Sequence, residues 1–126
     1  MDVATRASVR RRAVDACEYC RLREEDDFFT FHIEHIVARQ HHGGDDLSNL
    51  ALACQHCNQH KGPNLSGIDP ETGRVVLLFH PRRDDWDFHF RRVGPRLVGL
   101  TPTGRATVRV LAMNDPDRVE LRARIT

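Results

Sequence analysis

Apolar positions along the chain fall into short separate runs whose spacing changes from segment to segment. Residues 4–16 hold good helix formers and few breakers, which predicts a basic helix. The segment REEDDF after Cys20 reads as a solvated acidic turn. FFTFHIEHIV, residues 28–37, is rich in aromatic and β-branched residues with partial alternation and predicts a strand. Gly43 and Gly44, followed by two aspartates, break it. LALAC is a short apolar run that predicts a second strand, and CNQHKGPN reads as one or two helical turns stopped by Gly62 and Pro63. A turn-rich linker follows, from Gly67 to Gly73. RVVLLFH predicts a further strand and RLVGL a weaker one. Thr101 and Pro102 fit a helix cap with proline at the first helical position. That helix would run to about Met113 with Ala106, Val110 and Met113 on one face. Asp115 and Pro116 repeat the signal and start a last basic helix that reaches the C-terminus. The pattern is that of an α+β protein without internal repeats.

The length of 126 residues suits one compact domain. Hydrophobic content of 40% and charged content of 29% are ordinary for a globular chain. No apolar run approaches the ~18 residues that a membrane span needs. The arginines near the N-terminus are not followed by the apolar stretch of a signal peptide. These features lead to the expectation of a soluble, cytoplasmic protein with no membrane partner.

The net charge of +1 conceals segregation. Residues 1–14 carry four arginines and one acid, residues 91–126 carry eight arginines and three acids, and the stretch between is net acidic. Lys61 is the only lysine among nineteen basic residues. Arginine presents a planar fork that matches phosphate oxygens in bidentate fashion. Basic ends around an acidic middle would suit a polyanion partner with a metal-binding centre, and compositional bias would give the same pattern.

Four cysteines form two C-x-x-C pairs, Cys17 with Cys20 and Cys54 with Cys57, separated by 33 residues. Two intervening residues let both thiolates of a pair face one ion, and two such knuckles complete a tetrahedral all-thiolate zinc site. Disulfides compete for the same residues, but a cytosolic chain keeps its thiols reduced. A thioredoxin-like redox motif needs only one pair, beside a strand–helix–strand pattern that this chain lacks. A zinc ion held by four cysteines has no open position and supports the fold. The loop it closes contains HIEHIVARQHHGGDD, residues 32–46, with four histidines and three acids.

In order, the chain shows C-x-x-C, Glu34-His35-Ile36, Gly43-Gly44, Leu47-Ser48-Asn49-Leu50, and then Cys54-x-x-Cys57-Asn58-x-x-Lys61-Gly62. This succession resembles the HNH endonuclease family in its zinc-bound form, with a ββα-metal active site, over roughly residues 15–66. The resemblance implies a nuclease core (15–66); the residue pattern adds a basic N-terminal helix (1–14), and residues 67–126 are expected to form a C-terminal extension packed on the core. It also implies that His35 is the general base, that Asn49 orients the loop and the base, and that Asn58 stands at the third signature position, giving an H-N-N variant. Glu34 falls where the family carries a metal ligand. Glutamate is one methylene longer than the more usual aspartate, and asparagine at 58 offers an oxygen in place of an imidazole nitrogen. Oxygen donors favour Mg²⁺ or Mn²⁺ as the catalytic ion, held by Glu34 and Asn58, beside the structural Zn²⁺ of Cys17, Cys20, Cys54 and Cys57.

Phosphodiester hydrolysis needs a base for the attacking water and positive charge for the phosphate and the leaving oxygen. The expected function is therefore metal-dependent hydrolysis of DNA, with RNA as the other candidate substrate. A zinc-stapled nucleic-acid-binding module without catalysis is the competing reading. Adjacent residues on a regular strand point to opposite faces, so Glu34 and His35 can share a site only if the strand ends or bulges there. His32 shares a strand face with Glu34 and is a further ligand candidate. His41 and His42 read as solvated, and His56 as pointing outward. His60 lies on the helix side opposite Asn58. Lys61, three residues after Asn58, suits either a phosphate contact or a surface role. Arg82, Arg83, Trp86 and His89 form a second polar and aromatic group that could track a phosphate backbone or cap the sheet, with Trp86, Phe88 and Phe90 as core.

Overall fold

The computed structural model describes residues 1–125. Helix α1 (Val3–Ala13) starts where the Asp2 carboxylate accepts from the Thr5 N–H at 2.8 Å. It ends three residues earlier than its 4–16 pattern suggests, because Val14 and Asp15 both turn to φ 54°. The helix lays Val9 on the strand pair behind it. Its last-turn arginines reach inward: Arg10 pairs with Glu24 at 2.7 Å, and Arg12 donates to the Leu50 carbonyl.

The core motif follows. Strand β1 (His32–His35) pairs antiparallel with β2 (Leu50–Ala53), His32 opposite Ala53 and His35 opposite Leu50. Helix α2 (Gln55–Lys61) leaves directly from β2. This is the expected strand, loop, strand, helix order. The strand predicted over 28–37 shrinks to four residues because β2 supplies only four partners. Phe28 and Phe29, read as strand, lie in an exposed bend instead.

The C-terminal half adds two hairpins and three helices. Strand β3 (Ser66–Ile68) pairs with β4 (Val75–Leu77) across a turn where Asp69 binds Thr72 at 2.8 Å and Arg105 at 2.9 Å through both carboxylate oxygens. Part of the predicted linker is thus a strand. The short helix α3 (Trp86–His89) leads into β5 (Phe90–Val93), which pairs with β6 (Arg96–Gly99) around Gly94 at φ 59°. Helix α4 (Pro102–Val110) begins as expected, with the Thr101 hydroxyl accepting from the Gly104 N–H at 2.9 Å, and stops before the predicted Met113. Helix α5 (Pro116–Arg124) follows, while Thr126, included in the last predicted helix, lies outside the described residues.

Among the described residues, mixed helices and three separate two-stranded sheets make this an α+β fold. One apolar cluster joins the halves: Val9, Tyr19, Phe31, Leu50 and Leu52 from the first, Phe79, Phe90, Leu111 and Met113 from the second. Of the aromatics expected in the core, Phe90 is buried, Trp86 is partly buried and Phe88 is exposed. Polar ties cross the same boundary. The Trp86 indole donates to the Tyr19 carbonyl at 2.8 Å, Arg118 pairs with Asp27 at 3.0 Å, and Arg82 pairs with Glu18. No helix among the described residues is long and apolar enough to cross a membrane.

Candidate active site and metal cluster

Cys17 and Cys20 sit on a tight turn closed by the Cys17 N–H donating to the Leu22 carbonyl at 2.8 Å, with Arg21 at φ 70°. Cys54 caps α2 through its sulfur, which accepts from the Cys57 N–H at 3.3 Å. The Glu18 N–H bonds the Leu52 carbonyl at 2.8 Å and so fastens the first knuckle to β2, just before the second. All four sulfurs are buried and lie within 4.8 Å of one another. Such a cluster can hold one tetrahedral ion, and four thiolates match structural zinc. The donor set fits in charge as well. Arg118 of α5 places a guanidinium nitrogen 3.5 Å from the Cys54 sulfur, against the negative charge that four thiolates leave on a dication. Burial works against the Arg118 charge, but the Asp27 hydrogen bonds and Cys54 more than offset it and hold the guanidinium above its ordinary range. Arg118 was not singled out in the sequence, since nothing local marks a residue 64 positions from its cysteine partner.

The strand between the knuckles sorts the signature residues onto two faces. β1 is regular through both Glu34 and His35, opposite Ala51 and Leu50 respectively. No bulge occurs, but the strand ends at His35, which is the other condition under which the two could share one site. Glu34 is 6% exposed and points between β1 and α2. Its carboxylate accepts the Tyr19 hydroxyl proton and lies 3.6 Å from the Lys61 ammonium, which also donates to the Ile36 carbonyl at 2.8 Å. Burial raises the Glu34 carboxyl above its ordinary range, and Lys61 opposes that rise. Glu34 was expected as a metal ligand, and in this structure its oxygens meet Tyr19 and Lys61. Of the two roles expected for Lys61, the surface one falls away, because the side chain is 2% exposed. Asn58 lies one turn before Lys61, on the helix side toward β1, and is partly buried.

His35 projects from the other face. Its Nε2 lies 2.6 Å from Asp45, which also meets Arg39 at 3.2 Å. In the neutral ring, a nitrogen against a carboxylate carries the proton, which leaves the lone pair on Nδ1. The His35 hydrogen bond, with Arg39 behind it, keeps the Asp45 carboxyl below its usual value. Asp45 read only as a strand breaker in the sequence. Asn49 fixes the loop between: its side chain accepts from the Val37 N–H at 2.9 Å and donates to the carbonyls of Val37 at 3.0 Å and Gly44 at 2.8 Å. It meets no ionisable side chain there.

Two clefts flank these groups. One of about 210 Å³ opens beside β1 and is lined by Ile36, Val37, Lys61, His80 and Arg83. Neither Glu34, His35 nor Asn58 lines it. His80, absent from the candidates drawn from sequence, accepts from the Arg82 N–H at 3.2 Å, and burial lowers its pKa. A larger one, about 470 Å³, runs between α1 and the first knuckle, with Arg12, Glu18, Arg21, Arg23 and Trp86 on its walls. Arg21 stacks 5.0 Å above the Trp86 ring. Arg82 is tied to Glu18 and so serves the junction between the halves. His32 is exposed, and His41 and His42 are exposed beside the glycines.

A ββα unit whose ends are gathered by a four-cysteine cluster, with a histidine–carboxylate pair at the end of its first strand, defines a class of zinc-stapled nuclease-like domains. Residues 17–64 match the family model of the HNH endonuclease, the family that the order of motifs resembles. No curated protein and no solved structure matches the chain.

Proposed function

We propose that the protein is an HNH endonuclease that hydrolyses phosphodiester bonds in DNA. The observation that carries this reading is the His35–Asp45 pair at 2.6 Å, standing where a loop braced by Asn49 begins, inside the segment that matches the family. His35 Nδ1 takes the proton of the attacking water. Asp45 accepts from Nε2–H, holds the ring in that tautomer and stabilises the imidazolium that forms. Asn49 keeps the two partners in register by tying residues 37 and 44 together.

Glu34 and Asn58 supply oxygen donors of the kind hard cations take, and the Glu34 carboxylate already binds the cationic Lys61 side chain, so the position suits positive charge. A divalent ion bound there would supply charge to the scissile phosphate and the leaving oxygen. Lys61, which lines the adjoining cleft beside Arg83, would add positive charge toward a phosphate bound there. The arginines of the larger cleft offer guanidinium forks to the phosphodiester backbone. The four cysteines hold structural zinc.

The test is plasmid nicking with Mg²⁺ or Mn²⁺ by the wild type and His35→Ala. Cutting by the wild type alone supports the reading. Equal cutting by both overturns the His35 mechanism, and no cutting by either while DNA is still bound replaces the reading with a binding module.

A further inference from the structure

Helix α2 carries a histidine pair on the face turned away from β1. His56 and His60 stand one turn apart, with ring centroids 4.1 Å from each other. From the C-terminal half, Asp115 comes up beside them at the start of α5. One ligand atom from each of the three side chains lies within 4.8 Å of the other two. Cys54, Cys57 and Lys61 engage the opposite side and the N-terminal end of the helix, so this group is separate from both sites described above.

Three features suit the trio to a cation. His56 Nε2 lies 2.8 Å from the Ala112 carbonyl and His60 Nδ1 lies 2.8 Å from the His56 carbonyl. A ring nitrogen facing a carbonyl carries the proton, which leaves the other nitrogen of each ring with a free lone pair. Backbone carbonyls orient metal-binding histidines in the same way. Asp115 occupies the cap position of α5 yet makes no capping hydrogen bond with its side chain. An aspartate there ordinarily accepts from a backbone N–H, so this carboxylate is not committed to its own helix. The spacing also fits: metal–nitrogen bonds of ~2.0–2.1 Å set tetrahedral ligand atoms roughly 3.3 Å apart. Small side-chain rotations close that gap.

We propose that His56, His60 and Asp115 form a second metal site, which takes a divalent transition-metal ion and clips the C-terminal half to α2. Two imidazoles and one carboxylate favour Zn²⁺, Co²⁺ or Ni²⁺ over Mg²⁺ and Ca²⁺, which prefer shells of oxygen. Three protein ligands leave one position for water, so the ion binds less tightly than at the cysteines and exchanges. The ion would hold α2 from its outer side while the cysteine cluster holds its beginning.

The experiment uses the full chain with its cysteine site loaded and loosely held metal removed by a mild chelator. Co²⁺ is titrated in excess Mg²⁺ and followed by absorption and calorimetry, with thermal unfolding measured alongside Zn²⁺. The wild type should take one further equivalent, with the weak visible bands of nitrogen and oxygen ligands and no thiolate charge-transfer band. Added Zn²⁺ should raise its melting temperature by mass action. His60→Ala and Asp115→Asn should lose that equivalent and the stabilisation while keeping the cysteine-bound ion. His60 is exposed, so its truncation leaves the core intact. His35→Ala should take the ion as the wild type does, which separates this result from the outcome of the nicking assay. No further equivalent in the wild type, or equal uptake by His60→Ala, overturns the proposal.

Discussion

His35 and Asp45 stand ten residues apart in the chain and meet at 2.6 Å on the outer face of β1. The glycine-containing loop between them folds back so that the carboxylate reaches Nε2 and leaves Nδ1 for a proton. His35→Ala should therefore lower single-turnover cutting by ~10²–10⁴, the span of general-base catalysis. Asp45→Asn should cost less, because it removes the orienting partner and leaves the base. DNA affinity, followed by fluorescence anisotropy, should stay near the wild-type value in both. Equal loss of affinity and cutting would assign the pair to binding.

Lys61 and Glu34 form a buried ion pair, 2% and 6% exposed. Removing one partner of such a pair costs about 3–5 kcal/mol, because the other charge is left without compensation. Lys61→Met should show that loss in urea unfolding at neutral pH, and the double variant Lys61→Met, Glu34→Gln should recover much of it. The sign of the pH effect follows from Glu34. Burial raises its carboxyl in the folded protein, so ionising it opposes folding as pH rises above the ordinary carboxylate value. The deficit of Lys61→Met should shrink as pH falls, starting above the ordinary carboxylate range, because the buried Glu34 carboxyl takes up its proton there. A deficit that stays constant with pH would mean that Lys61 acts through packing alone.

Gly43 sits where a side chain has no room. A Cβ there would lie 1.7 Å from the Val37 carbonyl oxygen and 2.9 Å from the Asn49 amide nitrogen. Gly43→Ala must open the 37–44 loop and pull Asn49 from its partners. Cutting should fall severely while circular dichroism and bound zinc remain close to wild type. Unimpaired cutting would show that the loop geometry does not set the position of His35.

Removal of the cysteine-bound ion should unfold the first half of the chain rather than silence the site alone. Burial raises the Cys17 thiol well above its ordinary pKa, so that thiolate needs the ion to stay charged. Chelation strong enough to strip zinc should abolish the near-ultraviolet signal of Tyr19 and Trp86 together, and zinc, not magnesium, should restore it. Cys17→Ser should behave as the stripped protein does. A stripped protein with an unchanged melting profile would assign the cluster no part in folding.

The sequence made some of this legible for physical reasons. The cysteine knuckles are local devices whose spacing is their geometry, and they gather as that spacing requires, while the loop braced by Asn49 could be expected only through the family resemblance. β1 and β2 were readable from their apolar content, although β1 is cut short by its four-residue partner. The fate of Glu34 was not readable. It depends on Tyr19, 15 residues before it, and on Lys61 across the β1–α2 gap, which folding alone brings together. β5 went unpredicted because Arg91, Arg92 and Val93 are all exposed and leave one buried position, Phe90, as its apolar signal. Asp45 looked like turn material, and only the folded loop shows that it meets an imidazole.

One tether has a practical consequence for engineering. The Trp86 indole hangs on the backbone of Tyr19, whose hydroxyl in turn grips Glu34. Excising residues 17–64 for transplant into a foreign scaffold would sever that relay and strip the aromatic cover from the first cysteine turn. A portable cassette has to travel with the stretch around residue 86, or with a designed surrogate for its ring.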